Sequence, residues 1–378
     1  MKVLHVSPSF YPSKAYGGTI RSGYGLCRGL AQLGCDVRVL TTDTDGLGRV
    51  LGVANDREVQ VDGLRVRYCH KRLRHSVSSA LLRVLPFYVQ WANVVHLTAV
   101  YSFPTFPTLF FCRLFNKPVV WSPRGALQRW EGSSRVVHKW VWESICQTLA
   151  AKNLVLHVTS QAEAEQSLRR FPKLRAVVIR NGVDVPQNPR RSASNGELRL
   201  LYLGRLHPIK GIESLLMACG IVNSLSTDWH LHIAGTGSAS YVDFLKSKVQ
   251  ELGLSRQVEF VGELFEEQKE ALFAQSDVAL VPSHVENFGI VVAESLAHAV
   301  PVIASKGTPW IGLETNRCGL WVDNDPESLA TAIRRIRTLP LQEMGRRGRE
   351  WMEKDFSWDA VSGEMLAVYR ECIRSQTN

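Results

Sequence analysis

The sequence predicts an α/β protein built from two doubly wound, Rossmann-like domains facing a cleft. Three observations carry that expectation. Short β-rich apolar runs alternate with helical patterns along the 378 residues, the mark of parallel sheets wrapped by helices. The alternation breaks over 183–197 (VDVPQNPRRSASNGE), a Pro-, Asn- and Ser-rich stretch without periodicity that reads as a linker. The charge divides near the same place: residues 1–195 hold 27 Lys and Arg against 11 Asp and Glu, whereas 196–378 hold 18 against 24. A chain of this length can bury two cores of ordinary size.

In the first half the patterning predicts strands over 2–7, 36–41, 64–69, 94–98, 117–122, 154–158 and 176–180. Helices are expected over 19–34, 76–91, 105–115, 136–150 and 161–170, giving a domain over 1–182. Beyond the linker, strands are expected over 199–203, 229–234, 258–261, 278–282 and 300–304. Helices over 211–224, 239–252, 266–275, 289–298, 326–338 and 341–353 complete a second domain over 198–355. A Trp-bearing segment and last helix, 356–378, are expected to pack back on the first domain. Open parallel sheets bind ligands beyond the carboxyl ends of their strands, so the cleft is the expected site.

Several classes are excluded by composition. No apolar stretch reaches 18 residues, which argues against a membrane-spanning helix. The opening MKVLHVSPSF reads as a strand rather than a leader. Eight cysteines with no C-x-x-C between them fit reduced core thiols and a cytoplasmic chain.

The sharpest local signal is SHVENFGIVVAESLAHAVPVIAS, residues 283–305. Asn287 is expected to cap a helix, leaving the amides of Phe288, Gly289 and Ile290 free for a phosphate. Gly289, lacking a side chain, permits close approach. Glu286 and Glu294 stand about two helical turns apart, roughly 12 Å, and suit hydroxyls on either side of a bound diphosphate. In LYLGRLHPIKGIESL (201–215), Arg205 follows a strand and Lys210 opens a helix. Two cations there can neutralise a diphosphate, Arg as a fork and Lys as a point charge. The loop SPSFYPSKAYGGTIRSGYGL (7–26) sets Gly17 and Gly18 before a helix. Each segment alone also fits a bland role: solvated glutamates, a surface lysine, turn glycines. Their conjunction favours a site.

These motifs together resemble the retaining GT-B glycosyltransferases of family 4, over nearly the whole chain. The matching features are the Gly17–Gly18 loop, Asn181-Gly182-Val183-Asp184, Gly204-Arg205 with Lys210-Gly211, Ala234-Gly235-Thr236-Gly237, and the E-x7-E of Glu286 and Glu294. The resemblance implies that Arg205 and Lys210 bind the donor diphosphate and stabilise it as it leaves. It implies that Glu286 holds hydroxyls of the transferred sugar and that backbone of Asn287, Phe288, Gly289, Ile290 and Val291 lines sugar and phosphate. Glu294 would bind the nucleotide ribose, Gly17, Gly18 and Gly204 would lie near the phosphates, and the 261–264 stretch, with Leu264, would meet the base.

One departure from the family matters. Many relatives carry a His after the fifth strand of the first domain, where this chain has Ser122-Pro123-Arg124-Gly125-Ala126-Leu127. The S-P-R-G-x-L form resembles a subset linked to bacterial surface polysaccharide synthesis. Arginine cannot act as a base, so Arg124 is expected to contact a sugar hydroxyl or an anionic acceptor group. His96, at a strand end, is the residue that could take over part of the missing role.

The implied mechanism is front-face substitution with retention, in which the leaving diphosphate takes the acceptor's proton. The protein supplies position and charge stabilisation. No cofactor and no metal are expected. Asp43-Thr44-Asp45 has a metal-binding D-x-D spacing but follows a strand where short polar turns are routine. Gly235-Thr236-Gly237-Ser238 echoes a dinucleotide fingerprint but lacks its third glycine. The expected partners are a UDP- or GDP-sugar and a glycan or polyprenyl-diphosphate-linked acceptor. The basic first half fits an anionic membrane surface, and 70–93 (Lys71, Arg72, Arg74 and Arg83 beside Leu81, Leu82, Leu85, Phe87, Tyr88 and Trp91) resembles a basic amphipathic stretch. No helix-turn-helix, zinc or RNP-like pattern points to nucleic acid. The expected location is cytoplasmic, peripheral on the inner face of the plasma membrane. The rival readings are a nucleotide-sugar epimerase on the same fold and a non-catalytic nucleotide-sugar or glycan-binding subunit.

Overall fold

The computed structural model describes residues 1–13, 15, 17–46, 48–73, 76–128, 136–151, 153–189, 192, 196–226, 228–264 and 266–377. The chain forms two compact units, one of Met1–Gly182 with Trp358–Asn378 and the other Val183–Ser357.

Unit 1 runs β1 (Lys2–Val6), α1 (Gly18–Gln32), β2 (Asp36–Thr42), β3 (Glu58–Val61), β4 (Leu64–Cys69), α2 (Ser79–Trp91), β5 (Val94–Thr98), α3 (Thr105–Leu114), β6 (Val119–Ser122), α4 (Val136–Leu149), β7 (Leu154–Val158), α5 (Gln161–Arg170) and β8 (Arg175–Val178). Its sheet order is β3-β4-β2-β1-β5-β6-β7-β8. Every pairing is parallel except β3 with β4. The inner strands are buried throughout, as in VVHLT of β5 and LVLHV of β7; strands covered on both faces read as continuous apolar runs. The β3 strand, absent from the sequence expectation, is a short half-exposed edge. Its turn, Asp62 and Gly63, has both residues at positive φ (47° and 82°), so the Asp-Gly pair was the available hairpin signal.

Unit 2 runs β9 (Leu198–Leu203), a 3-10 turn (Pro208–Lys210), α6 (Ile212–Asn223), β10 (Trp229–Ala234), α7 (Ala239–Glu251), β11 (Val258–Gly262), α8 (Glu266–Gln275), β12 (Val278–Val281), α9 (Ile290–Ala297), β13 (Val302–Ser305), α10 (Gly312–Thr315), β14 (Gly319–Val322), α11 (Pro326–Ile336) and α12 (Leu341–Asp355). Its sheet, β11-β10-β9-β12-β13-β14, is parallel throughout. β14 also escaped the sequence reading.

Composition alone misplaces the 183–197 segment as a linker. Val183 is buried and Val185 half-buried in the unit 2 core, and the Val183 N–H donates to Phe356 O (2.8 Å). Residues 190, 191 and 193–195 of the segment lie outside the described residues. Phe356 likewise belongs to the unit 2 core, stacked on Trp310, so the last helix, α13 (Trp358–Thr377), starts two residues later than the expected segment. α13 packs on α1 where glycines make room. A Cβ on Gly25 would lie 2.1 Å from the Trp358 ring, and one on Gly29 2.1 Å from Ser362 Oγ.

Candidate donor site

The unit 2 site begins where β9 ends. Gly204 N–H donates to Ala234 O (3.0 Å) and Leu206 N–H to Thr236 O (2.8 Å), pressing the β9 and β10 loops together. A Cβ on Gly235, whose φ is 139°, would stand 1.8 Å from Gly204 O, so only glycine fits. Tyr202 Oη donates to Arg205 O (3.0 Å), fixing the backbone of Arg205, whose own residue is exposed. Burial, then the nearby Glu286 charge, hold the Tyr202 hydroxyl well above its ordinary pKa, which keeps it a donor.

The 3-10 turn carries Lys210 against the loop after β12. His207 caps it, its Nδ1 accepting from Ile209 N–H (3.2 Å). Burial first, and then Arg205 and Lys210, lower the His207 pKa, so its ring stays neutral and able to accept. His284 N–H donates to Ile209 O (2.9 Å), and a Cβ on Gly211 would meet Pro282 O at 2.0 Å. This close seat lets Lys210 Nζ donate to Glu286 Oε2, with Ser283 Oγ donating to the same oxygen (3.2 Å). Both charged side chains are about four-fifths buried, at 20 % and 18 % exposure.

Glu286 leads into the start of α9. Its N–H donates to Gly307 O (2.9 Å). Phe288 is buried against Trp310, whose Nε1 donates to Phe288 O. Gly289, at φ 76°, is the N-cap residue, with no side-chain hydrogen bond at the cap. Asn287 therefore does not cap the helix: the chain needs a left-handed residue immediately before Ile290, which glycine supplies two positions later. Asn287 Oδ1 is instead buried without a partner. Among the described residues, the N–H groups of Phe288, Gly289, Ile290 and Val291 also find no acceptor. Unpaired donors at a helix start attract an anion.

The second glutamate is placed differently from the first. Glu294, inside α9 and buried, pairs with Lys269 Nζ (2.6 Å), and its backbone oxygen accepts from His298 Nδ1 (2.7 Å). Leu264 is half-buried on the same core beside Val261, after Gly262, whose carbonyl accepts from Gly235 N–H (2.7 Å). The structure thus gathers Gly204, Arg205, Lys210, Glu286 and the α9 start around adjoining strand ends of one sheet. Tyr202, Ser283, His207 and Lys269 were not foreseen: the first three bond residues only two or three positions away, which motif spacing does not reveal, and Lys269 meets Glu294 from another segment.

In unit 1, Gly17 is the N-cap of α1 at φ 49°, with open space around its Cβ position, and Gly18 is the first helical residue. Arg124, at φ 55°, donates to Asn181 Oδ1 while its Nε is buried and unpaired. Two motifs read separately, S-P-R-G and N-G-V-D, meet there. The adjacent Gly125 N–H donates to Glu163 Oε1 (2.6 Å).

His96 does not sit where a sugar or acceptor could reach it. It is 0 % exposed, its Nδ1 hydrogen-bonded with Tyr369 Oη (2.5 Å) and its Nε2 with Ser122 Oγ (2.7 Å). A buried β5 residue between neighbouring strands and α13 has both ring nitrogens used, so the expected contact is corrected. Asp43 of the D-x-D spacing is also buried and tied down, by His70 Nδ1 (2.7 Å), Lys71 N–H (2.8 Å) and Asn55 Nδ2 (3.1 Å).

Two Rossmann-like units, one presenting cations beside an open helix start at its strand ends, define an enzyme architecture for nucleotide-linked substrates. Residues 16–187 match the model of Glycosyltransferase Family 4 and residues 184–351 that of Glycosyl transferases group 1. Glycogen synthase of Mycobacterium tuberculosis (strain CDC 1551 / Oshkosh) is 28 % identical, over 100 % of this chain and 96 % of its own. Sucrose-phosphate synthase from Thermosynechococcus elongatus superposes with a TM-score of 0.75 at 23 % identity, covering 99 % of this chain and 100 % of its own. The Anabaena protein HepE in complex with UDP gives 0.74 at 16 % identity, with 98 % and 100 % covered. The chain is a GT-B glycosyltransferase, its two halves matching glycosyltransferase family models.

Proposed function

We propose that this protein transfers a sugar, with retention, from a UDP- or GDP-linked donor to a glycan carried on a polyprenyl diphosphate, in surface polysaccharide synthesis. The observation that carries the donor half is the Lys210–Glu286 pair beside Arg205 and the unpaired amides opening α9. The bond from the anomeric carbon to the phosphate oxygen breaks as the acceptor oxygen bonds to the same face. The departing phosphate oxygen takes the acceptor's proton, so no side chain need act as base. Arg205, Lys210 and the Phe288–Val291 amides stabilise the charge that develops. Glu286 accepts from hydroxyls of the transferred sugar, Glu294 from the ribose, and Leu264 lies against the base. Two cations and a helix start supply the charge a divalent ion would otherwise bring, so transfer is expected to need none.

The melting temperature read with UDP, GDP, ADP and NAD in turn, under EDTA, tests the donor half. At 100 times its dissociation constant a ligand adds roughly 2.7 kcal/mol, several degrees for units of this size. UDP or GDP should shift the transition and NAD should not. A response to NAD alone would overturn the reading. An epimerase would bind the same donor yet release an isomerised sugar without an acceptor.

The acceptor half rests on charge and on α4. Most of the apolar residues in 70–93 turn inward: Leu81, Leu85 and Tyr88 are core, leaving Leu73, Leu82 and Phe87 exposed, and Arg74 lies outside the described residues. The wider apolar surface is α4, which buries Glu143 against Tyr101 and turns Val137 (72 % exposed), Trp140 (62 %), Val141 and Ile145 outward. α3, packed beside it, adds Phe110 and Leu114. An apolar stripe on a strongly basic half fits the interface of an anionic bilayer. No helix among the described residues is long and apolar enough to cross a membrane. The protein should sediment with phosphatidylglycerol vesicles and not with phosphatidylcholine alone, and Trp140→Glu should weaken that association by about tenfold. Equal sedimentation of wild type and variant would argue against α4.

A further inference from the structure

We infer that unit 2 carries a binding site for a zinc-class divalent cation, formed by His230 and His232 on β10 and Glu259 on the neighbouring β11. Residues facing the covered sides of a parallel sheet are normally apolar. In WHLHIA, Trp229, Leu231 and Ile233 obey that rule, packing into the core of α6, α7 and α11. His230 and His232 alternate with them and so share the opposite face. Register places Glu259 directly beside His232, on the strand at the edge of the sheet. Both imidazoles are half-buried and Glu259 is exposed, which leaves a path for an ion.

The distances suit a metal better than a simple ion pair. His232 Nε2 lies 3.4 Å and His230 Nε2 3.7 Å from the same oxygen, Glu259 Oε2. The three ligand atoms all fall within 4.8 Å of one another. A tetrahedral ion with arms of about 2.0–2.1 Å spaces its ligands by about 3.3 Å, so small side-chain rotations bring all three to bonding distance. Two imidazole nitrogens and one carboxylate oxygen select Zn²⁺, Cu²⁺ or Ni²⁺ over the all-oxygen preference of Mg²⁺ and Ca²⁺. Glu197 acts on His232 electrostatically, adding negative charge. Arg199, the register partner of His230, is held by Asp277 through a fork of 2.8 and 3.0 Å, so its charge is offset. None of these residues belongs to the donor site.

The test uses the full chain without an affinity tag, stripped with EDTA. After dialysis against Zn²⁺ it should retain one equivalent of metal, and Co²⁺ in its place should give the visible absorption of a four-coordinate ion. His230→Asn, His232→Asn and Glu259→Gln should each weaken Zn²⁺ binding by about tenfold or more, while the metal-free melting temperature stays near that of the wild type. Mg²⁺ should not compete. Retention of less than half an equivalent, or retention unchanged in the double histidine variant, would overturn the assignment.

Discussion

Arg205→Ala is expected to lower turnover by about 10²–10³-fold, the usual effect of removing one preorganised charge partner from a developing oxyanion. The melting temperature should barely move. Arg205 is exposed and the Tyr202 contact uses its backbone oxygen, which alanine retains. Lys210→Ala should cost a similar factor in turnover but also some stability. It leaves Glu286 at 18 % exposure with only Ser283 Oγ as its remaining neutral partner, and a charge left without its counterion is costly to bury. The contrast separates the two residues by more than activity. Steady-state transfer and thermal melts on the same preparations provide it. Unimpaired turnover in Arg205→Ala would mean that the leaving diphosphate does not depend on this guanidinium.

Acid should unfold unit 1 well before its carboxylates protonate. His5, His96 and His157 are almost fully buried. They form one assembly: His5 stacks on His96 (5.1 Å between rings), Ser122 Oγ bridges His96 and His157 Nδ1 (2.6 Å), and His157 Nε2 meets Ile179 O (3.0 Å). Burial, reinforced by the Arg124 charge, lowers His5 and His157 to about 3. For His96, burial leads, with His5, His157 and Arg124 adding to it. The folded state therefore binds fewer protons than the unfolded chain, and stability is lost as pH falls below the unfolded value of about 6.5 toward the folded values. At pH 5 each such histidine removes about 2 kcal/mol, whatever its folded value, provided that value lies well below 5. His5 and His157, at about 3, together remove about 4 kcal/mol, a large share of the stability of many domains, and His96 acts in the same direction. Carboxylates with lowered values, such as Glu371 beside Arg175, act only nearer pH 4, so the window from 6.5 to 5 belongs to histidine. In unit 2, half-buried His207 and His232 act in the same direction. Melts from pH 7.5 to 5 should fall steeply, and His157→Asn should flatten the slope by about one proton. A flat profile would exclude the neutral buried cluster.

The candidate donor site was legible in outline because its parts are local. A glycine before Ile290, an E-x7-E spacing and a strand followed by Gly204-Arg205 are each readable within a dozen residues. The cap was misread for a physical reason: Asn is a good N-cap by propensity, but the turn into α9 requires positive φ at Gly289. His96 was misread because a strand-end position says nothing of what covers it. Tyr369 arrives from α13, 273 residues away.

Alternation, composition and the spacing of glycines determined by themselves that this is a doubly wound α/β chain with a glycine at the start of α9, since period and backbone freedom are properties of short segments. Tertiary structure alone decided that Lys210 faces Glu286, that Arg124 is held by Asn181, that α4 turns its apolar side outward, and that two histidines meet a glutamate on the next strand. Those contacts join segments far apart in the chain, and side-chain partnership depends on which surfaces packing brings within a few ångströms.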